Sequence, residues 1–132
     1  MKIQTETVDY APVIPSHPWA TADRDVYTSG DLVPKGYERT FVDTGCVPVD
    51  DDGAMIRMDM YTSIGPAGAM ATTDISATFE SCGVEDAYMV AAAYALAAAT
   101  VQSDCPEPGI EQVRMLAATI RGQARDIMGG AA

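Results

Sequence analysis

The stretch AMIRMDMYTSI, residues 54–64, decides the fold. Ile56, Met58, Met60, Thr62 and Ile64 fall on one face, and Arg57, Asp59, Tyr61 and Ser63 on the other. A period of two with one apolar side is the pattern of a strand that buries one face. Working outward, Asp50-Asp51-Asp52-Gly53 supplies a turn, and before it Glu38–Val49 is strand-like, with Thr40, Phe41, Val42 and Val47. On the other side GPAGAMA, residues 65–71, reads as a loop that breaks the alternation. Thr73–Glu80 then alternates again, with Ile75, Ala77 and Phe79 opposite Asp74, Ser76, Thr78 and Glu80. Three consecutive half-buried strands make an antiparallel meander the economical arrangement.

Towards the N-terminus, Pro12, Pro15, Pro18 and Pro34 exclude a central strand or helix interior from Ala11–Gly36. A short strand near Val26–Thr28 fits within it, and Trp19 is expected to pin the segment to an apolar surface. Lys2–Tyr10, rich in Thr and Val, reads as a first strand. Strands therefore span about residues 2–80.

After residue 80 the period changes. Glu85 and Asp86 open a helix over about 84–102, where negative charge suits the N-terminus. Ala87, Ala91, Ala95 and Ala99 form a stripe of small residues, and Met89, Val90, Tyr94, Leu96 and Val101 cover most of the remaining circumference. Such a helix is expected to be covered on more than one side. Its Ala91, Ala95 and Leu96 are candidates for helix or subunit packing. Pro106 and Pro108 precede a second helix, over about 108–128, in which Ile110, Val113, Ala117, Ile120, Ala124 and Ile127 recur at three and four residues. Ile110, Val113 and Ile120 are its packing candidates, and Gly129-Gly130 ends it. The fold class is α+β, one domain over residues 1–132, with an antiparallel sheet followed by two C-terminal helices.

An apolar content of 48% excludes disorder throughout. The opening residues MKIQTETVDY lack the apolar core of a signal peptide. The longest unbroken apolar run, Ala87–Ala99, is 13 residues, short of the roughly 18–20 that span a bilayer, so no membrane is expected. Cys46, Cys82 and Cys105 stand apart without a CxxC pair, which fits free thiols in a reducing compartment; the alternative is an inter-subunit disulfide at Cys105. The net charge of −11 lies wholly in residues 1–105, with 16 acidic and 5 basic side chains against 3 and 3 beyond. Nucleic acid is not drawn by such an overall field, so any nucleic-acid contact must be local.

The chemistry of an enzyme is hard to assemble from these residues. His17, the single histidine, stands in Ser-His-Pro without a positioned base or orienting partner. One histidine and dispersed cysteines do not make a usual transition-metal site, Asp50–Asp52 lacks the spacing of a calcium loop, and Gly65 and Gly68 lack the Lys-Ser/Thr of a phosphate loop. No catalysis, cofactor or metal is expected.

Four stretches, in their order and spacing, resemble the coat proteins of single-stranded RNA bacteriophages. They are Val33-Pro34 with Tyr37–Thr40, Met55–Ile64 running into Gly65-Pro66, Asp74-Ile75-Ser76 through Phe79, and Glu85-Asp86 through Val90 with the alanine-rich helix. Together they cover about residues 33–102. The resemblance implies an N-terminal hairpin, a sheet and two helices, and an intertwined dimer with one continuous sheet whose helices lie over the partner's strands. It further implies an icosahedral capsid around an RNA genome, in a virion made in the bacterial host cytoplasm, and in several members a hairpin-binding translational repressor. The inward, RNA-facing set is then Arg57, Asp59, Tyr61, Asp74, Ser76 and Thr78, with Tyr61 placed to stack on an unpaired base. Asp59 and Asp74 repel phosphate there. Two other classes fit the charge or the apolar helices: an acidic inhibitor that mimics nucleic acid, and a capsid-decorating or tail protein of a DNA phage.

Overall fold

The computed structural model describes residues 15–129. Four strands, β1 (Asp25–Tyr27), β2 (Arg39–Pro48), β3 (Met55–Gly65) and β4 (Gly68–Ala77), are followed by α1 (Val84–Ser103) and α2 (Ile110–Ile127). The sheet is antiparallel throughout, in the order β1-β2-β3-β4. The α+β class and the meander are as expected; the strand read at Lys2–Tyr10 lies outside the described residues.

The alternation in β3 sets everything else. Ile56 and Met58 are fully buried and pair with Val47 and Gly45 on β2 and with Ala77 and Ile75 on β4. These positions form the floor on which the helices rest. The β2–β3 turn is closed by Asp50, whose Oδ1 accepts from the N–H groups of Asp52 (2.9 Å) and Ala54 (3.0 Å).

The segment at 65–71 departs from its reading as a loop. Only Pro66 and Ala67 lie outside the ladder, Gly65 pairs with Gly68, and Ala69, Met70 and Ala71 continue the strand. Gly68 takes φ +129, which its missing Cβ permits. Small residues hid this strand, because its weak side chains give no strong alternation. β4 also ends at Ala77 rather than Glu80: the Thr78 hydroxyl donates to the Met55 carbonyl at 3.1 Å and closes the ladder.

Helix α1 buries Ala92, Ala93, Ala97 and Thr100, and packs against the ends of β2, β3 and β4 on one side and α2 on another. Small side chains allow that close approach. Val113 and Ala117 of α2 are buried, with Ile110, Leu116 and Ile120 half-buried beside them. Leu96 of α1 is likewise half-buried against this core. Ala91 and Ala95 are exposed in the single copy, and with Ala87, Tyr94, Ala98 and Ala99 they form an apolar stripe along α1. The 3.6-residue period turns this stripe away from both the sheet and α2. Arg121 fastens the far end, donating to Glu85 at 2.6 Å with its guanidinium 5.4 Å from the Tyr88 ring.

At 20 residues, α1 is long and apolar enough to cross a bilayer by length and composition alone, where the 13-residue run fell short. A core helix passes the same test, and part of this one packs on the sheet. The two faces of α1 predict different mutational costs. In the monomeric chain at low concentration, Ala97→Leu is expected to lose about 1–3 kcal/mol in urea denaturation through overpacking, whereas Ala91→Leu stays within about 0.5 kcal/mol. Equal losses at the two positions would contradict this division of the helix.

Candidate functional site

Two regions collect polar chemistry, one on each face of the sheet. On the face away from the helices, the register places Arg57 beside Ser76, Asp59 beside Asp74 and Tyr61 beside Thr72. Thr78 follows β4 and is tied to Met55 through its hydroxyl. The sequence-derived set is therefore gathered on one surface, but its members are not equally available.

Asp59 is buried, at 6% exposure, and is not a free acidic group. Its Oδ1 accepts from the Thr44 hydroxyl at 2.6 Å, and its Oδ2 from Arg57 Nε at 2.9 Å. Asp59, expected in the RNA-facing set, is thus engaged by Thr44 across the strand pair and by Arg57 two residues before it on β3. The carboxylate in turn holds the Arg57 guanidinium protonated, above its ordinary pKa, through that hydrogen bond and its charge. Asp74 is exposed, and among the described residues it has no ion-pair partner.

Tyr61 is half-buried. Burial, then the charges of Asp59 and Asp74, push its phenol above the ordinary value. It stands in a shallow depression of about 270 Å³ where Asp31, Leu32 and Pro34, from the loop between β1 and β2, come over the sheet to face Met70 and Asp74. Sequence reading missed this loop, since nothing in its prolines says which face it crosses. At that end Thr40 and Ser63 are buried and share a 2.8 Å hydrogen bond.

The second region lies on the helix-covered face, where Asp43 shares the side of Phe41 and Val47. Arg24 grips it bidentately, Nε to Oδ1 at 2.8 Å and Nη2 to Oδ2 at 3.0 Å, and its guanidinium lies 5.2 Å from the Phe41 ring. The His17 backbone N–H also donates to Asp43 Oδ2 at 3.3 Å. The His17 ring stacks on Trp19, with centroids 5.0 Å apart, and its Nδ1 lies 2.7 Å from Asp104 Oδ1 at the end of α1. His17 joins the loop to the sheet and to the helix pair. An acid on the apolar side of β2 was the sequence signal for this cluster; its partners, 19 and 26 residues away, carried none.

Burial alone raises the Asp43 carboxyl, but the Arg24 hydrogen bonds, the His17 N–H and the charges of both residues outweigh it and leave it below its ordinary value. A depressed folded pKa contributes stability above the unfolded value that is lost as pH falls through the folded one. Unfolding midpoints should therefore drop on acidification below the ordinary carboxylate range. Asp43→Asn is expected to flatten that part of the profile, and an unchanged acid slope would refute the assignment.

Cys46 is half-buried, and burial pushes its thiol up. Cys82 and Cys105 are exposed free thiols. No group of three or more His, Cys, Asp or Glu side chains among the described residues is placed to hold a metal ion. Comparison with protein-family models, curated proteins and solved structures finds no match to this chain.

One feature of the backbone bears on function as much as these side chains. Among the described residues β4 pairs only with β3, so no described strand lies along the outer edge of its ten residues. Edge strands are commonly guarded by Pro, Lys or bulges. GAMATTDISA holds none of those residues and a single charge, Asp74. Beside it, Ala69, Ala71 and Thr73 on the helix side of β4 are exposed, and the α1 stripe is uncovered.

Proposed function

We propose that this chain is a self-assembling coat subunit, which dimerises through β4 and builds an icosahedral shell around RNA. The observation that carries the reading is the long unguarded β4 edge, lying beside apolar surface that one copy leaves uncovered. Antiparallel pairing of β4 with its counterpart satisfies both edges at once, and a two-fold axis makes the contact self-complementary. Helices that reach across the axis then cover Ala69, Ala71 and Thr73, and Ala91 and Ala95 find an apolar partner. Burial of this surface stabilises by about 25 cal/mol per Å². The strings that resemble RNA-phage coat proteins lie on these same elements.

RNA contact in this reading falls on Arg57, Tyr61, Ser76 and Thr78, with Tyr61 stacking on an unpaired base. The arginine is partly neutralised by Asp59, so electrostatic attraction to phosphate is modest and salt-sensitive. Particles purified from an RNA-containing host should carry nuclease-protected RNA, and Tyr61→Ala should weaken binding of single-stranded oligoribonucleotides several-fold. Empty particles, with oligonucleotide affinity unchanged in Tyr61→Ala, would remove RNA from the account and leave assembly standing.

A further inference from the structure

The outer face of the sheet adds an electrostatic condition to that pairing. Asp59 and Asp74 are cross-strand neighbours, but among the described residues only Asp59 has a basic partner, Arg57 at 2.9 Å. Asp74 is exposed on β4, with Asp31 lining the same depression and the Tyr61 phenol beside it. A two-fold axis perpendicular to the sheet keeps like faces together, so every residue of β4 meets a partner residue of the same parity. In the two registers that pair the most of β4, Asp74 falls opposite Thr72 or Met70 of the second copy. From strand rise and spacing, the two Asp74 positions are then about 8 or 14 Å apart.

Like charges at that range repel across a sheet, and the repulsion is screened only when the Debye length falls below their separation. We propose that Asp74 is the charge that sets how tightly two copies pair through β4, making dimerisation dependent on ionic strength. The inference rests on the pairing proposed above. Asp74 is the one charged side chain in the strand, so removing it leaves the backbone ladder and the apolar contacts intact. At the nearer separation, an effective dielectric between that of water and that of a protein surface gives about a two- to thirty-fold change in dimer affinity.

The test is sedimentation equilibrium of the full chain in 20 mM and 500 mM NaCl (roughly bracketing the physiological Debye length). Wild type is compared with Asp74→Asn and with Asp25→Asn, a control on the same face at the opposite edge. The expected result is a wild-type dimer that tightens in high salt. Asp74→Asn should be tighter in low salt by about the factor above and nearly indifferent to salt, with Asp25→Asn behaving as wild type. Where dissociation is too weak to detect, the concentration-dependent urea midpoint of the dimer carries the same comparison. Dimers whose affinity and salt response are unchanged by Asp74→Asn overturn this proposal and leave the pairing reading intact. Monomers in every variant and both salts overturn both.

Discussion

Truncation of Trp19 to alanine is expected to cost about 3–5 kcal/mol and to bring the chain close to unfolding at ambient temperature. Trp19 is fully buried, and it is the largest side chain in the core. It joins Val47, Ile56 and Met58 of the sheet to Ala92, Ala93 and Ala97 of α1, and the His17 ring stacks on its indole. The small helix residues cannot expand into the space it leaves, so most of the cavity persists. Its indole N–H finds no acceptor among the described residues, so Trp19→Phe removes an unsatisfied donor and should cost much less than alanine. Gly45 belongs to the same joint. A Cβ there would come 2.3 Å from the Trp19 carbonyl oxygen, so Gly45→Ala must push the loop off the strand. Urea unfolding followed by tryptophan fluorescence and, for Trp19 variants, circular dichroism checks all three. A Trp19→Ala protein within about 1 kcal/mol of wild type would contradict the assigned role.

The second large effect belongs to the β4 edge. Ala71→Asp combined with Thr73→Asp places two carboxylates on the helix side of the strand, where both positions are exposed in a single copy. The folded monomer should tolerate them, since exposed substitutions change stability little. A continuous two-copy sheet should not, because it would bury charge without a partner. The expected outcome is a folded chain with unchanged far-ultraviolet circular dichroism, no particles, and a dimer weakened by about a hundred-fold or more. Retained assembly in this variant would place the subunit contact elsewhere.

The sheet was legible wherever side chains were strong. Ile56, Met58 and Ile64 marked their face by alternation alone, and the shift to a three-to-four spacing at Ile110, Val113 and Ala117 marked α2. β4 was legible only in its second half. Ala69, Met70 and Ala71 carry little alternation, and Gly65, Pro66 and Gly68 suggested a long loop where a two-residue turn suffices. The stripe at Ala87, Ala91 and Ala95 was visible as a pattern, but periodicity does not say which of several apolar faces meets the sheet.

The candidate site was half legible for a different reason. Parity along β3 and β4 put Arg57, Tyr61, Asp74 and Ser76 on one surface, as the register has them. What parity omits is reach. Thr44 and Arg57 close over Asp59, and Asp31, Leu32 and Pro34 cross the sheet to flank Tyr61. The Thr44–Asp59 bond and the loop crossing join segments distant in sequence, and parity does not say that Arg57 turns back onto Asp59 two residues along its own strand. The Arg24–Asp43–His17 cluster is a further case, announced only by one acid out of place.

The native mass of the purified full chain tests most directly the proposal that copies of the chain complete one another's fold. Light scattering coupled to gel filtration, over a wide concentration range and at moderate salt, should find dimers and closed shells built from them. A single species at the 13.9 kDa of one chain, at every concentration and in 500 mM NaCl (roughly a 4 Å Debye length), would contradict the account.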